Sequence, residues 1–116
     1  MKPFVFIYRQ GDRILSEEEQ RRRADEVRAW ALGQIAKGRK LDPHLMGPEY
    51  YHTSAEGESD HAPAGTDSPP VAIVFLEARD FGEAIGIAKT HPGIRYGVSI
   101  EVRPWMSPVP PTKGRV

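Results

Sequence analysis

The stretch that decides the fold is residues 71–104, VAIVFLEARDFGEAIGIAKTHPGIRYGVSIEVRP. Residues 71–76 are all apolar and rich in β-branched side chains, which predicts a central strand covered on both faces. Asp80 stands at a helix N-cap position, with Glu83 three residues later as in a capping box. Residues 98–104 alternate apolar and polar side chains, as in a strand with one buried face. The stretch therefore predicts strand, helix and strand, and helical spacing predicts the buried face of the helix as Phe81, Ala84, Ile85 and Ala88.

The N-terminal part repeats this plan. Residues 2–9 are apolar at both alternating sets of positions, which predicts a second central strand. A helix follows from about Ser16 to Lys37, because Ser16 and Glu19 form a capping box and Gly38 suits the position after the last turn. Its buried face is predicted as Ala24, Val27, Ala31 and Ile35, flanked by Trp30 and Leu32.

The rest of the chain is predicted to be less regular. A short edge strand is expected between Leu45 and His52, where prolines and a glycine interrupt the sequence. Residues 53–70 have alanine as their only apolar type apart from proline and glycine, which predicts a long mobile loop. We therefore expect one domain over residues 1–105 and a proline-rich arm over residues 106–116, which packs Trp105 on its own body or on a partner.

Composition excludes several classes of function. Sixteen basic residues balance sixteen acidic ones, so no overall field attracts nucleic acid or an anionic membrane. Arginines 21–23 each follow a glutamate by four residues, which favours a solvated, salt-bridged helix face. The chain has no cysteine and no apolar run of membrane-spanning length. We expect a cytoplasmic protein with no nucleic-acid or membrane partner.

The order of elements predicts an α+β, ferredoxin-like βαββαβ fold with a four-stranded antiparallel sheet. In this fold the first and third strands are central, and these are the two strands that are apolar on both faces. Both helices cover one sheet face, so either the alternate set Phe4, Phe6 and Tyr8 or the set Val5 and Ile7 must be covered on the other face. The sequence therefore predicts a homodimer that associates through that face.

Four residues are candidates for a site. His91 follows a helix near the ends of two central strands, where it could act as a general acid or base, or its ring could cap the last helical carbonyls. Arg9 could bind an anionic ligand or pair with a glutamate, and Glu101 with Arg103 is interpreted as an ion pair. Tyr8 and Trp30 could stack on a ligand ring or belong to the core.

The histidines outside this group do not form a recognised metal-ligand pattern. His44, His52 and His61 lie near acidic residues, but their spacing matches no known site. The sequence predicts no metal and no cofactor.

Several segments of the chain match a known family: Tyr8-Arg9, residues 15–19, Trp30, residues 38–43 and, most specifically, residues 83–104 with His91-Pro92. Through these segments the chain resembles the YCII-related, or DGPF-domain, family of the dimeric α/β-barrel superfamily over roughly residues 2–105. The resemblance implies a homodimer with a cleft between helices and sheet, mostly without assigned biochemistry, although a few relatives are enzymes acting on small aromatic or ring substrates. The chain departs from the family in lacking the Asp-Gly-Pro-Phe signature and a histidine near Val27.

The sequence thus predicts a YCII-like homodimer that binds a small, aromatic or anionic molecule in a cleft near His91, Arg9, Tyr8 and Trp30. An enzyme would use His91 as acid and base and Arg9 to stabilise charge in a proton transfer. The alternative is a non-catalytic regulatory or protein-interaction module. An open cleft in which His91 and Arg9 converge favours the enzyme, and a cleft filled by side chains favours the module.

Overall fold

A computed structural model describes residues 1–61 and 68–106 of the chain. Within these ranges the elements follow the predicted order, with one added hairpin and one short 3₁₀ helix. In chain order they are β1 (Lys2–Gln10), α1 (Glu17–Ala36), β2 (Leu41–Leu45), β3 (His52–Ser54), β4 (Gly57–Ser59), β5 (Pro70–Ala78), α2 (Phe81–Lys89), the 3₁₀ helix (Pro92–Tyr96) and β6 (Val98–Pro104).

The main sheet has the strand order β2-β5-β1-β6, and every neighbouring pair is antiparallel. The two strands predicted to be central, β1 and β5, occupy the centre. Side chains of α2, together with Trp30 of α1, pack against the same face of this sheet. The predicted α+β, ferredoxin-like fold is therefore confirmed.

The pairing of β1 decides which of its side chains face the helices. Phe4, Phe6 and Tyr8 lie in the core against α2, and Phe6 is completely buried. Val5 and Ile7 point to the opposite face, where they stand beside Phe75 and Ile73 of β5. We call this side of the sheet the open face.

Local signals place the ends of the helices as predicted. The N–H of Glu19 donates to Ser16 Oγ (3.1 Å), and the side chain of Glu19 accepts from the N–H of Ser16 (3.0 Å). At the other end of α1, Gly38 has a φ of 84° and donates to Ile35, while Arg39 donates to the carbonyl of Gln34, which together form a Schellman motif. Asp80 caps α2 by accepting from the N–H of Glu83 (2.8 Å).

The buried faces of the helices differ from the predicted ones. The buried residues of α2 are Ala84, Ile87 and Ala88, and Phe81 at its start is 46% exposed. On α1 the side chain of Ile35 is 56% exposed. Helical spacing identifies neighbours on a helix but not its distance from the sheet, and α1 stands away from the sheet along much of its length.

The edge strand also lies elsewhere than predicted. It is β2, Leu41–Leu45, which pairs with β5 and contains Pro43. Proline is tolerated there because an edge strand has one unpaired side, so a missing N–H costs no ladder bond. Part of the segment predicted as a loop forms the hairpin of β3 and β4. Residues 62–67 of that loop and 107–116 of the predicted arm lie outside the described residues. Neither described helix is long and apolar enough to cross a membrane.

Candidate functional site

A cavity of about 610 Å³ separates α1 from the sheet and opens to solvent. Its floor is the helix-facing side of β5 and β2, and its roof is α1. Most of its walls are apolar, with contributions from Val27, Ala31, Leu41, Ala72, Val74 and Val98. The apolar residues of α1 that are predicted to pack tightly on the sheet thus line an open cavity instead.

Polar contacts and one aromatic side chain fix α1 above the sheet. Trp30 Nε1 donates to Thr90 Oγ1 (2.8 Å), and that hydroxyl donates to the carbonyl of Ile87 at the end of α2 (2.7 Å). Glu26 accepts from the hydroxyl of Tyr96 (2.8 Å) and pairs with Arg95 of the 3₁₀ helix. These bonds attach one flank of α1 to the segment after α2, so the cavity persists on the other flank.

His91 lies at the inner end of the cavity and is 7% exposed. It is the N-cap of the 3₁₀ helix, and its Nδ1 accepts the N–H of Gly93 (3.0 Å). The ring therefore faces Gly93 and does not cap carbonyls of α2. Because Nδ1 is an acceptor, the proton of the neutral ring is on Nε2.

Burial lowers the pKa of His91 from 6.5 to about 4. The ring is consequently neutral at pH 7, with Nε2–H as a hydrogen-bond donor. In this state it has no free basic nitrogen and no dissociable imidazolium proton. The chemistry that suits it at neutral pH is donation to a ligand oxygen, as opposed to the acid and base exchange that the sequence predicts.

Two aromatic side chains enclose the His91 ring. The ring centroid of Tyr8 lies 4.9 Å from that of His91, and the centroid of Trp30 lies 4.7 Å from it, both in edge-to-face geometry. Tyr8 is 6% exposed, and its hydroxyl has no hydrogen-bond partner among residues 1–61 and 68–106. The same burial raises the pKa of Tyr8 above its ordinary value, so the hydroxyl stays protonated. Three of the four predicted site residues are thus brought together.

Arg9, the fourth predicted residue, lies on the opposite side of the sheet. Tyr8 points into the cavity, so its neighbour in the strand points to the open face. Arg9 Nη1 donates to Glu101 Oε1 (2.8 Å), and Glu101 also accepts from Arg103 (3.1 Å). These bonds, from Arg9 first and then from Arg103, lower the pKa of Glu101. Arg9 and His91 therefore do not converge. Arg9, Glu101 and Arg103 instead form a row of ion pairs, which is the alternative that the sequence offers for these side chains.

The sequence reasoning missed the basic residues of the cavity. Arg23 and Arg28 of α1 both line it, and Arg23 Nη1 donates to the neutral side chain of Gln10 (3.2 Å). None of the described residues that line the cavity is acidic. Helical spacing could have predicted the position of Arg23. It precedes Val27 by four residues and Trp30 by seven, which places all three on one flank of α1.

Two of the three remaining histidines form separate local pairs. His44 lies 3.1 Å from Asp42, and His61 lies 3.0 Å from Asp60. Over the part of the chain that the structure describes, no group of three histidine or carboxylate side chains is arranged to bind a metal.

The strand order and the cavity define a small ferredoxin-like α+β protein with a cleft between helix and sheet. No family model matches the chain, and no curated protein sequence matches it. It is similar to a solved structure of 5-chloro-2-hydroxyhydroquinone dehydrochlorinase (TftG) from Burkholderia phenoliruptrix AC1100 in complex with 2,5-dihydroxybenzoquinone. That match has a TM-score of 0.45 and 18% sequence identity, and it covers 89% of this chain and 93% of that chain. A likeness at this level says nothing about activity, and the fold assignment rests on the strand order.

Proposed function

We propose that this protein is a YCII-related homodimer that binds a small molecule in the cavity between α1 and the sheet. The observation that carries the proposal is the open, mostly apolar cavity with two buried hydrogen-bonding groups at its inner end, on Tyr8 and His91. Its volume of about 610 Å³ lies within the range of roughly 300–1,000 Å³ typical of ligand sites. The family motifs quoted above, which include His91-Pro92, support the same proposal.

If the bound molecule reacts, the geometry favours polarisation of an oxygen over proton transfer by His91. A neutral imidazole that donates through Nε2 stabilises negative charge developing on a carbonyl oxygen. The Tyr8 hydroxyl lines the same cavity and is a second donor. Arg9 takes no part in this version because it lies across the sheet. Its absence from the cavity is also the observation that favours the alternative, a regulatory or interaction module that binds without turnover.

The open face supports the proposal of a dimer. Four half-buried apolar residues of β1 and β5 cover its centre: Val5, Ile7, Ile73 and Phe75. The rings of His44 and Trp105 contact Phe75 at centroid distances of 5.8 and 5.1 Å and extend this apolar area. The Arg9, Glu101 and Arg103 row borders it. A second copy placed face to face meets the same apolar centre and a self-complementary charged border, as a twofold interface requires.

The cavity proposal is tested by a thermal-shift screen of small polar and aromatic metabolites against the wild type. Two variants of α1 locate any hit. Ala31→Trp adds a large side chain at a half-buried position that lines the cavity, and Ala29→Trp adds the same side chain at an exposed position outside it. A ligand at about a hundred times its dissociation constant stabilises the folded state by roughly 2.7 kcal/mol. For a domain of this size that is a rise in Tm of roughly 10 °C.

A ligand of the cavity retains its shift in Ala29→Trp and loses it in Ala31→Trp. Equal shifts in both variants place the ligand elsewhere, and a broad library without a hit contradicts the proposed function. Incubation of a hit with the protein, followed by product analysis, separates an enzyme from a binding module.

A further inference from the structure

We propose that the ligand of this cavity is an aromatic carboxylic acid, whose carboxylate binds to Arg28 and Arg23 and whose ring end bears an oxygen that binds to Tyr8 and His91. This inference rests on the proposed function and adds the chemical class of the ligand. It is carried by three observations on the cavity: its charge, its unsatisfied hydroxyl and the spacing along α1 of the residues that line it.

The cavity carries positive charge that no described acidic residue of its lining balances. The described residues that line it include Arg23 and Arg28 but no aspartate or glutamate. Arg23 donates to the amide oxygen of Gln10, which is neutral and leaves the guanidinium charge in place. Within the described residues Arg28 makes no ion pair. A guanidinium group binds a carboxylate with two parallel hydrogen bonds, so these side chains favour an organic acid over a neutral molecule.

The carboxylates closest in sequence to these arginines form no ion pair with them. Glu26 bonds to Arg95 and Tyr96 of the 3₁₀ helix, and Glu19 bonds to Arg13. Asp25 is exposed, and no ion pair of the described residues includes it. Among the described residues, no acid thus forms an ion pair with Arg23 or Arg28.

The inner end of the cavity requires an oxygen or another acceptor. The Tyr8 hydroxyl is buried without a partner in the described chain, and an unpaired buried hydroxyl is unfavourable until a ligand or water binds it. His91 presents Nε2–H in the same region, because Nδ1 accepts from Gly93. A phenol or carbonyl oxygen of a ligand satisfies both donors together.

The space between these two ends suits one aromatic ring with a short side chain. Arg28 precedes Trp30 by two residues in α1 and Arg23 precedes it by seven, which is about 3 Å and about 10 Å along the helix axis. The walls between them are apolar side chains of α1 and β5, and Trp30 meets the inner end with its ring. A planar, amphipathic molecule of up to about 10 Å that binds Tyr8 and His91 through a ring oxygen brings a carboxylate within reach of these arginines.

The experiment compares acids with their neutral amides by isothermal titration calorimetry on the full chain. The probes are 4-hydroxyphenylacetate with 4-hydroxyphenylacetamide, and 3-(4-hydroxyphenyl)propanoate with its amide. Arg28→Gln removes one of the two positive charges that line the cavity, and Arg22→Gln removes a charge that does not line it; both arginines are exposed. We expect each acid to bind the wild type about tenfold or more tightly than its amide, as a charge-assisted bidentate pair predicts.

The variants give the decisive comparison. Arg28→Gln is expected to reduce the preference for the acid severalfold or more while affinity for the amide stays the same, and Arg22→Gln is expected to keep the full preference. Acid and amide that bind the wild type equally overturn this inference and leave the small-molecule proposal intact. A loss of both acid and amide in Arg28→Gln also overturns it, because the residue then supports the cavity and does not select charge. Failure of every probe to bind at millimolar concentration overturns it too, whereas the library screen above decides the proposed function separately.

Discussion

Buried His91 makes the stability of this protein dependent on pH in a defined window. Its folded-state pKa is about 4, because burial disfavours the charged ring, and its unfolded-state value is 6.5. Between these values the unfolded chain binds more protons than the folded one, so the free energy of unfolding falls as the pH falls. The contribution of the neutral ring is complete above pH 6.5 and is lost progressively towards pH 4.

The size of the effect follows from the two pKa values. Proton linkage with values of 6.5 and about 4 lowers the free energy of unfolding by about 1 kcal/mol at pH 6, about 2 kcal/mol at pH 5 and about 3 kcal/mol at pH 4, relative to neutral pH. The steepest change is about 1.2 kcal/mol per pH unit, close to the value for the uptake of one proton on unfolding.

The control variant is His91→Asn. Its side-chain oxygen can accept the N–H of Gly93 as Nδ1 does, so it keeps the cap of the 3₁₀ helix without a titrating ring. Carboxylates such as Glu19, whose pKa is lowered by the N–H of Ser16 and by Arg13, titrate in both proteins and cancel in the comparison.

Urea unfolding of both proteins at pH 7, 6, 5 and 4 measures this difference. We expect the free energy of unfolding of the wild type minus that of His91→Asn to fall by about 3 kcal/mol from pH 7 to pH 4. A difference that does not change with pH would show that His91 titrates normally in the folded state. It would refute both the burial argument and the assignment of a neutral ring in the cavity.

Three further predictions concern other parts of the fold. Ile7→Asp places a charge at the centre of the open face and is expected to convert the proposed dimer into a folded monomer. Light scattering measures the change, and a variant that stays dimeric places the interface elsewhere. Gly93→Ala brings a methyl group to 2.9 Å from the His91 ring and is expected to destabilise the protein by about 1–3 kcal/mol. Its control, Gly86→Ala, places the methyl group in open space and is expected to stabilise α2 by about 0.5–1 kcal/mol. Equal effects of the two variants in thermal unfolding would contradict the contact between Gly93 and His91. Ser16→Ala removes the capping box of α1 and is expected to cost about 1 kcal/mol in urea unfolding, and no loss would show that the cap is not formed in solution.

The buried position of Phe6 decides how the proposed dimer can be tested. The sequence allows Phe6 or Ile7 as the residue of the open face, and an aspartate at either position is expected to break the dimer. Phe6 is completely buried beneath the helices, so an aspartate there unfolds the chain. Only Ile7 separates dimerisation from folding.

Several features of the fold were predictable because their causes are local. The capping residues Ser16 and Asp80 act on N–H groups three residues away, and Gly38 acts on the preceding turn. The strands β1 and β5 are apolar at both alternating sets of positions, which predicts their central places in the sheet. Each of these signals lies within a few residues of its effect.

The candidate site was only partly predictable. Tyr8, Trp30 and His91 were identified by type and by position near strand and helix ends, and the structure places them in contact. Arg9 was grouped with them because it follows Tyr8 directly, but neighbours in a strand point to opposite faces.

The sequence by itself determined the order of elements, the caps of the helices and the central strands, because periodicity and capping act along the chain. Tertiary structure alone decided which set of β1 side chains faces the helices, since strand pairing selects the face. It also decided that α1 stands off the sheet, because contacts from Glu26 and Trp30 to residues sixty or more positions away fix the helix. The cavity, its positive charge and the neutral state of His91 all follow from that one placement, which no pattern along the chain records.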